Sequence, residues 1–144
     1  MCEETMEALA RAVDLRVLEL PEGCDPARMF GVRKRGSDFV LVPFWSGVGR
    51  EMPIGITPPD GCCAIAFESG GWAAPLDDDV GVTIRPSQHP ARRRMHSTTV
   101  MYGEGGADIT IVRCADEPPQ VMRDGVGVIP ELMRACWESR RDDV

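Results

Sequence analysis

Met95-His96-Ser97-Thr98-Thr99-Val100-Met101-Tyr102 and Asp108-Ile109-Thr110-Ile111-Val112-Arg113-Cys114 flank the glycine-rich stretch Gly103-Glu104-Gly105-Gly106-Ala107. Strand-forming residues on both sides of a glycine turn make this the clearest hairpin in the chain. On its second arm Ile109 and Ile111 alternate with Thr110 and Val112, the two-residue period of a strand with unlike faces. Upstream, Phe30–Arg35 and Asp38–Trp45 flank Gly36-Ser37, a two-residue hairpin signal. Phe39-Val40-Leu41-Val42 is apolar on both faces and predicts a central strand. Pro43 lacks a ladder donor, so it is expected at that strand's end or at a bulge.

Working outward, Cys62–Phe67 is a continuous apolar run expected as a buried strand, and Val80, Val82 and Ile84 alternate as another. Gly70-Gly71 predicts a turn into Trp72-Ala73-Ala74-Pro75. Met6, Leu9, Ala10 and Val13 recur at helical spacing, predicting a helix over 3–14 with acidic residues at its start. Leu15, Val17 and Leu20 then predict a short strand ending at Pro21-Glu22-Gly23. Residues 46–61 are rich in glycine and proline and predict a long loop with a short edge strand at Ile54–Thr57. Loops of that length are frequently binding elements. Residues 115–125 predict a second loop. Ile129, Leu132, Met133, Cys136 and Trp137 form one stripe of a final helix with Pro130 near its first turn. Consecutive strands without helical crossovers give an α+β domain spanning 1–144. Its sheet is expected to be mostly antiparallel, with five to seven strands and an N-terminal and a C-terminal helix packed on one face.

The 144 residues suit one domain, and 43% hydrophobic with 27% charged residues is ordinary globular composition. No stretch approaches the roughly 20 apolar residues of a membrane span, and the N-terminus lacks signal-peptide character. A cytoplasmic location with reduced cysteines is the expectation. The formal net charge of −7 opposes non-specific nucleic-acid binding. Fifteen of the sixteen basic residues are arginine, and Lys34 is the lone lysine. Codon bias in a GC-rich genome explains that preference most simply.

Arg85-Pro86-Ser87-Gln88-His89-Pro90-Ala91-Arg92-Arg93-Arg94-Met95-His96 holds four arginines, both histidines and no acid. The remaining chain has twelve basic and twenty-three acidic side chains. Alternation on a strand puts Arg92, Arg94 and His96 on one face, where guanidinium groups can hold phosphate or carboxylate by paired hydrogen bonds. The competing expectation is pairing with the protein's own acids, Asp77-Asp78-Asp79 above all. Histidine titrates near neutrality and can serve as acid or base. Yet neither histidine sits in a metal-ligand spacing or a nucleophile motif.

The six cysteines contain no Cys-x-x-Cys pair, so no metal and no cofactor is expected, and buried thiols are. The glycine-bearing stretches lack phosphate-loop spacing. Trp72 and Trp45 are candidates for the rim of a binding surface, whereas Trp137 is expected in the core.

Gly71-Trp72-Ala73-Ala74-Pro75-Leu76-Asp77-Asp78, followed by Arg85-Pro86-Ser87-Gln88-His89-Pro90 and Arg92-Arg93-Arg94, resembles a pattern in a family of small actinobacterial proteins of unknown function. The resemblance covers the middle third and implies no activity, cofactor or site. From the residues, the leading expectation is a non-enzymatic binding or regulatory module. Its surface uses Arg85, His89, Arg92, Arg94, His96 and Trp72 to contact an acidic protein or an anionic, phosphate-bearing ligand. One alternative is a phosphoester hydrolase with His89 or His96 as base and arginines stabilising developing charge. Another is an acidic nucleic-acid mimic or inhibitor that presents its carboxylates to a basic partner.

Overall fold

Helix α1 runs Glu3–Glu19 and does not stop where the sequence period is expected to switch. Ala10, Val13 and Val17 keep helical spacing along one stripe and are almost wholly buried. Leu15, which with Val17 and Leu20 mimics strand alternation, stands 54% exposed on the outer side beside Leu18 at 46%. The expected strand at 15–20 is therefore a continuation of the helix. The computed structural model describes residues 3–20, 27–47, 53, 55–73, 88, 90–103, 107–114, 117–123, 125 and 128–139. The alternating stretch at Val80–Ile84 lies outside them.

Six strands follow α1: β1 (Ala27–Arg35), β2 (Asp38–Gly47), β3 (Ala64–Ala73), β4 (Arg93–Tyr102), β5 (Ala107–Cys114) and β6 (Gln120–Arg123). Helix α2 (Val128–Ser139) comes last. The strands form one sheet in the order β2-β1-β3-β4-β5-β6, with every neighbouring pair antiparallel. This is the α+β, antiparallel architecture that consecutive strands imply.

The two helices lie on opposite faces of the sheet, which corrects the expectation of a single helical face. Ala64 and Ala66 of β3 pack with Val100 and Tyr102 of β4 and with Ala10, Val13 and Val17 of α1. Their alternates Ile65, Phe67 and Met101 pack with Met133, Cys136 and Trp137 of α2. The physical reason lies in the central strands. A strand apolar on both faces needs cover on both, because each exposed face would leave large apolar area in water. Of the stripe expected on α2, Met133, Cys136 and Trp137 are core and Ile129 packs against them, while Leu132 is not part of that cluster.

β2 is an edge strand, not a central one, although its residues are apolar on both sides. Its position suits Pro43, since a missing donor is tolerated at an edge. Met29 pairs with Trp45 but Phe30 with Pro43, so the register shifts there and Phe44 is the extra residue of a bulge. Gly36, at φ +63°, turns β1 into β2. Gly70 and Gly71 make no turn and sit inside β3 opposite His96 and Met95. Residues 115–125, expected as loop alone, include β6. No strand occurs among the described residues of the 46–61 loop after β2. That loop is tied to the end of α2, where Ser139 Oγ donates to the Ile56 carbonyl at 3.3 Å and lies 3.1 Å from Thr57 Oγ.

Gly31 of β1 is where this packing is tightest, since an added Cβ would stand 2.4 Å from Cys62 Sγ and 3.2 Å from Pro59 Cδ. Gly31→Ala is expected to destabilise the protein by about 1–3 kcal/mol through overpacking. Combining it with Cys62→Ala should restore part of that loss. Urea unfolding midpoints of the two single variants and the double variant check both expectations.

Candidate functional site

The central strands β3 and β4 carry the site on their α1 side. Even-numbered residues of β3 and β4 share this face, and the register sets Trp72 opposite Arg94, Gly70 opposite His96, and Glu68 opposite Thr98. Arg92 precedes β4 and extends the same alternation. The guanidinium carbons of Arg94 and Arg92 lie 4.9 Å and 5.2 Å from the centre of the Trp72 ring. That is within the range of a cation–π contact. Arg93 alternates to the other face and forms an ion pair with Glu117. Trp72 remains 36% exposed.

The structure thus brings Arg92, Arg94 and Trp72 together. Arg85, His89 and Asp77–Asp79 lie outside the described residues. Trp45 belongs elsewhere: on the α2 side its ring stacks on Phe67, with centroids 6.2 Å apart and planes 22° from parallel.

His96 shares the face of Arg94 but turns its nitrogens inward. Nε2 lies 3.0 Å from Glu68 Oε2, and Nδ1 lies 3.8 Å from Asp14 Oδ1. The side chain is 24% exposed, yet its Nδ1 is sealed from solvent and has no hydrogen-bond partner. Each carboxylate is in turn held by an arginine. Arg28 Nε donates to Glu68 Oε1 at 2.6 Å, and Arg113 Nε donates to Asp14 Oδ2 at 2.7 Å. Thr98 Oγ1 donates to Asp14 Oδ1 at 2.9 Å. The result is a line of ionisable side chains, Arg28–Glu68–His96–Asp14–Arg113, that crosses β1, β3, β4, α1 and β5.

Burial pushes the Glu68 carboxyl up, but hydrogen bonds from His96 and Arg28, with their charge, outweigh it. The net effect holds Glu68 below the ordinary glutamate value. Asp14 is 0% exposed, so its charge is tolerable only because partners surround it.

A catalytic imidazole needs a nitrogen that reaches substrate, and both nitrogens here face the protein's own carboxylates. Among the described residues no group of three or more His, Cys, Asp and Glu is gathered as metal ligands. Cys62 and Cys136 are buried and Cys63 and Cys114 half-buried. Burial pushes the Cys136 thiol up to about 11. No helix among the described residues is long and apolar enough to cross a membrane.

Compared with family models, with curated proteins and with solved structures, the chain matches none. The site's chemistry is accordingly derived from its geometry.

Sequence reasoning passed over Asp14, Glu68, Arg28 and Arg113. Two carried a signal. Asp14 falls on the stripe Ala10, Val13, Val17, where a carboxylate is out of place, and Glu68 directly follows the apolar run ending at Phe67. The arginines carried none, because their roles come from strands that meet only in the folded sheet.

Asp14→Ala is expected to lower stability by about 3 kcal/mol, since it strips Arg113 and Thr98 of a shared buried partner. Chemical denaturation checks it. Glu68 binds its proton more weakly folded than unfolded, so ionised Glu68 favours the folded state. Its contribution is complete above the ordinary value of 4.5 and is lost as pH falls from there toward the folded-state value. A stability–pH profile should therefore drop through that acidic window, and Glu68→Gln should flatten the drop.

Proposed function

We propose that this chain is a binding module that docks an acidic segment of a partner protein on the Trp72–Arg92–Arg94 surface. One observation carries the reading: an exposed tryptophan ring lies beneath two guanidinium groups at 4.9 Å and 5.2 Å. Stacking on an aromatic ring orients a guanidinium while its N–H edge stays available to a carboxylate in the guanidinium plane. Among the described residues Arg94 has no acid partner, in contrast to Arg93 with Glu117. Tryptophan and arginine are also the side chains most enriched at the energetic centres of protein interfaces.

The formal net charge of −7 repels an acidic partner at long range. Binding is then confined to this local cationic surface, and wrong orientations are rejected. A phosphate-bearing small ligand shares the anion chemistry. An exposed platform on the sheet suits a peptide better than a small molecule, whose sites are concave.

A fluorescently labelled glutamate-rich decapeptide tests the proposal by anisotropy. Arg94→Ala and Trp72→Ala are each expected to weaken binding roughly tenfold, and Arg93→Ala to change it little. Added salt should weaken it too, since exposed charges are screened. Equal losses for Arg93→Ala and Arg94→Ala would overturn the assignment. So would failure of the peptide to bind while inorganic phosphate does.

A further inference from the structure

We infer that His96 is a proton-uptake site coupled to the Trp72–Arg92–Arg94 surface, so that docking of an acidic segment draws a proton onto the imidazole. The inference rests on the binding reading above and assigns its regulation.

The geometry around the ring is incomplete for a neutral imidazole and complete for a charged one. In the neutral state one nitrogen donates and the other only accepts. With Nε2 donating to Glu68 at 3.0 Å, Nδ1 presents a lone pair to Asp14 Oδ1 at 3.8 Å. Two acceptors then face each other in a place sealed from water. The opposite tautomer moves the same mismatch to Glu68. Protonation turns both nitrogens into donors, each aimed at a carboxylate, and lets the longer contact tighten into a hydrogen bond.

The charges facing His96 come from every element packed around it. Asp14 lies on α1 and Glu68 on β3. Arg113 of β5 stands directly opposite His96 in the register. Arg28 of β1 acts through Glu68, and Arg94 lies two residues along β4 itself. The two carboxylates and their two arginines cancel formally. A proton on the imidazole would therefore give the line a net positive charge.

Coupling to the binding surface is electrostatic. His96 and Arg94 share one face at a separation of about 7 Å along the strand. Across from His96, β3 supplies only Gly70, where an added Cβ would meet nothing nearer than 3.9 Å. No side chain from β3 thus stands between the imidazole and the ring of Trp72. A positive charge on His96 adds to the field of Arg94 and Arg92, attracting the anion. By reciprocity, a bound anion makes proton uptake easier. Net neutral companions leave this added charge uncancelled locally.

The test is the decapeptide affinity from about pH 8 to about pH 6, where glutamate side chains stay ionised while a histidine side chain takes up a proton. Affinity is expected to rise about three- to tenfold on acidification. The proton taken up per peptide should appear as a buffer-dependent binding enthalpy. His96→Gln keeps a donor toward Glu68 and should give a flat profile. Glu68→Gln removes one of the two stabilising charges and should move the midpoint of the rise to lower pH, which a purely structural role for His96 would not do. Peptide that binds with no pH dependence, or a rise that survives in His96→Gln, overturns the coupling alone. Peptide that fails to bind at every pH overturns the binding reading and the coupling with it.

Discussion

The structure depends on one carboxylate. Asp14 lies on the inner face of α1 with no solvent exposure, and a charge in that position is sustained only by fixed partners. Thr98 and Arg113 supply them from two neighbouring strands. Apolar contacts of Ala10, Val13 and Val17 hold the helix on the sheet but can slide, because dispersion and burial are not directional. The hydrogen bonds to Asp14 are directional. They fix where along β4 and β5 the helix sits, and so what lies beside its last turns.

What lies there is the ionic line from Arg28 to Arg113, and it explains why the two ends of β4 differ so much. Toward Tyr102 the strand is core, packed on both faces. Toward Arg93 it leaves the cover of both helices and its alternation carries charge. His96 stands at the boundary, with one flank in the buried network and the other toward Trp72 and Arg94. The surface proposed for docking lies next to this buried, hydrogen-bonded network along β4.

The antiparallel sheet gives this arrangement its rigidity. Trp72 and Arg94 are cross-strand neighbours in the most extensively paired ladder of the sheet, ten residue pairs from Ala64↔Tyr102 to Ala73↔Arg93. Gly70 and Gly71 lie within that ladder, and the lack of a side chain at Gly70 opens the face beside His96 without breaking the pairing. The glycine pair that resembles a turn in the sequence is instead a gap in the side-chain layer.

Local pattern determined a good deal. The hairpins at Gly36-Ser37 and Gly103–Ala107, the apolar stripe of α2, the strand-end or bulge position of Pro43 and the shared face of Arg92, Arg94 and His96 all follow from short-range rules of turn chemistry and alternation. The tertiary structure alone decided the rest. It carried α1 through Glu19, because burial of Val17 outweighs an alternation that only looks like a strand. It placed the helices on opposite faces, because the central strands are apolar on both. It brought Asp14, Glu68, Arg28 and Arg113 to His96 from four other elements. Periodicity reports on neighbours within one element, whereas the charge balance around a side chain is set by groups as much as 99 residues apart in the chain.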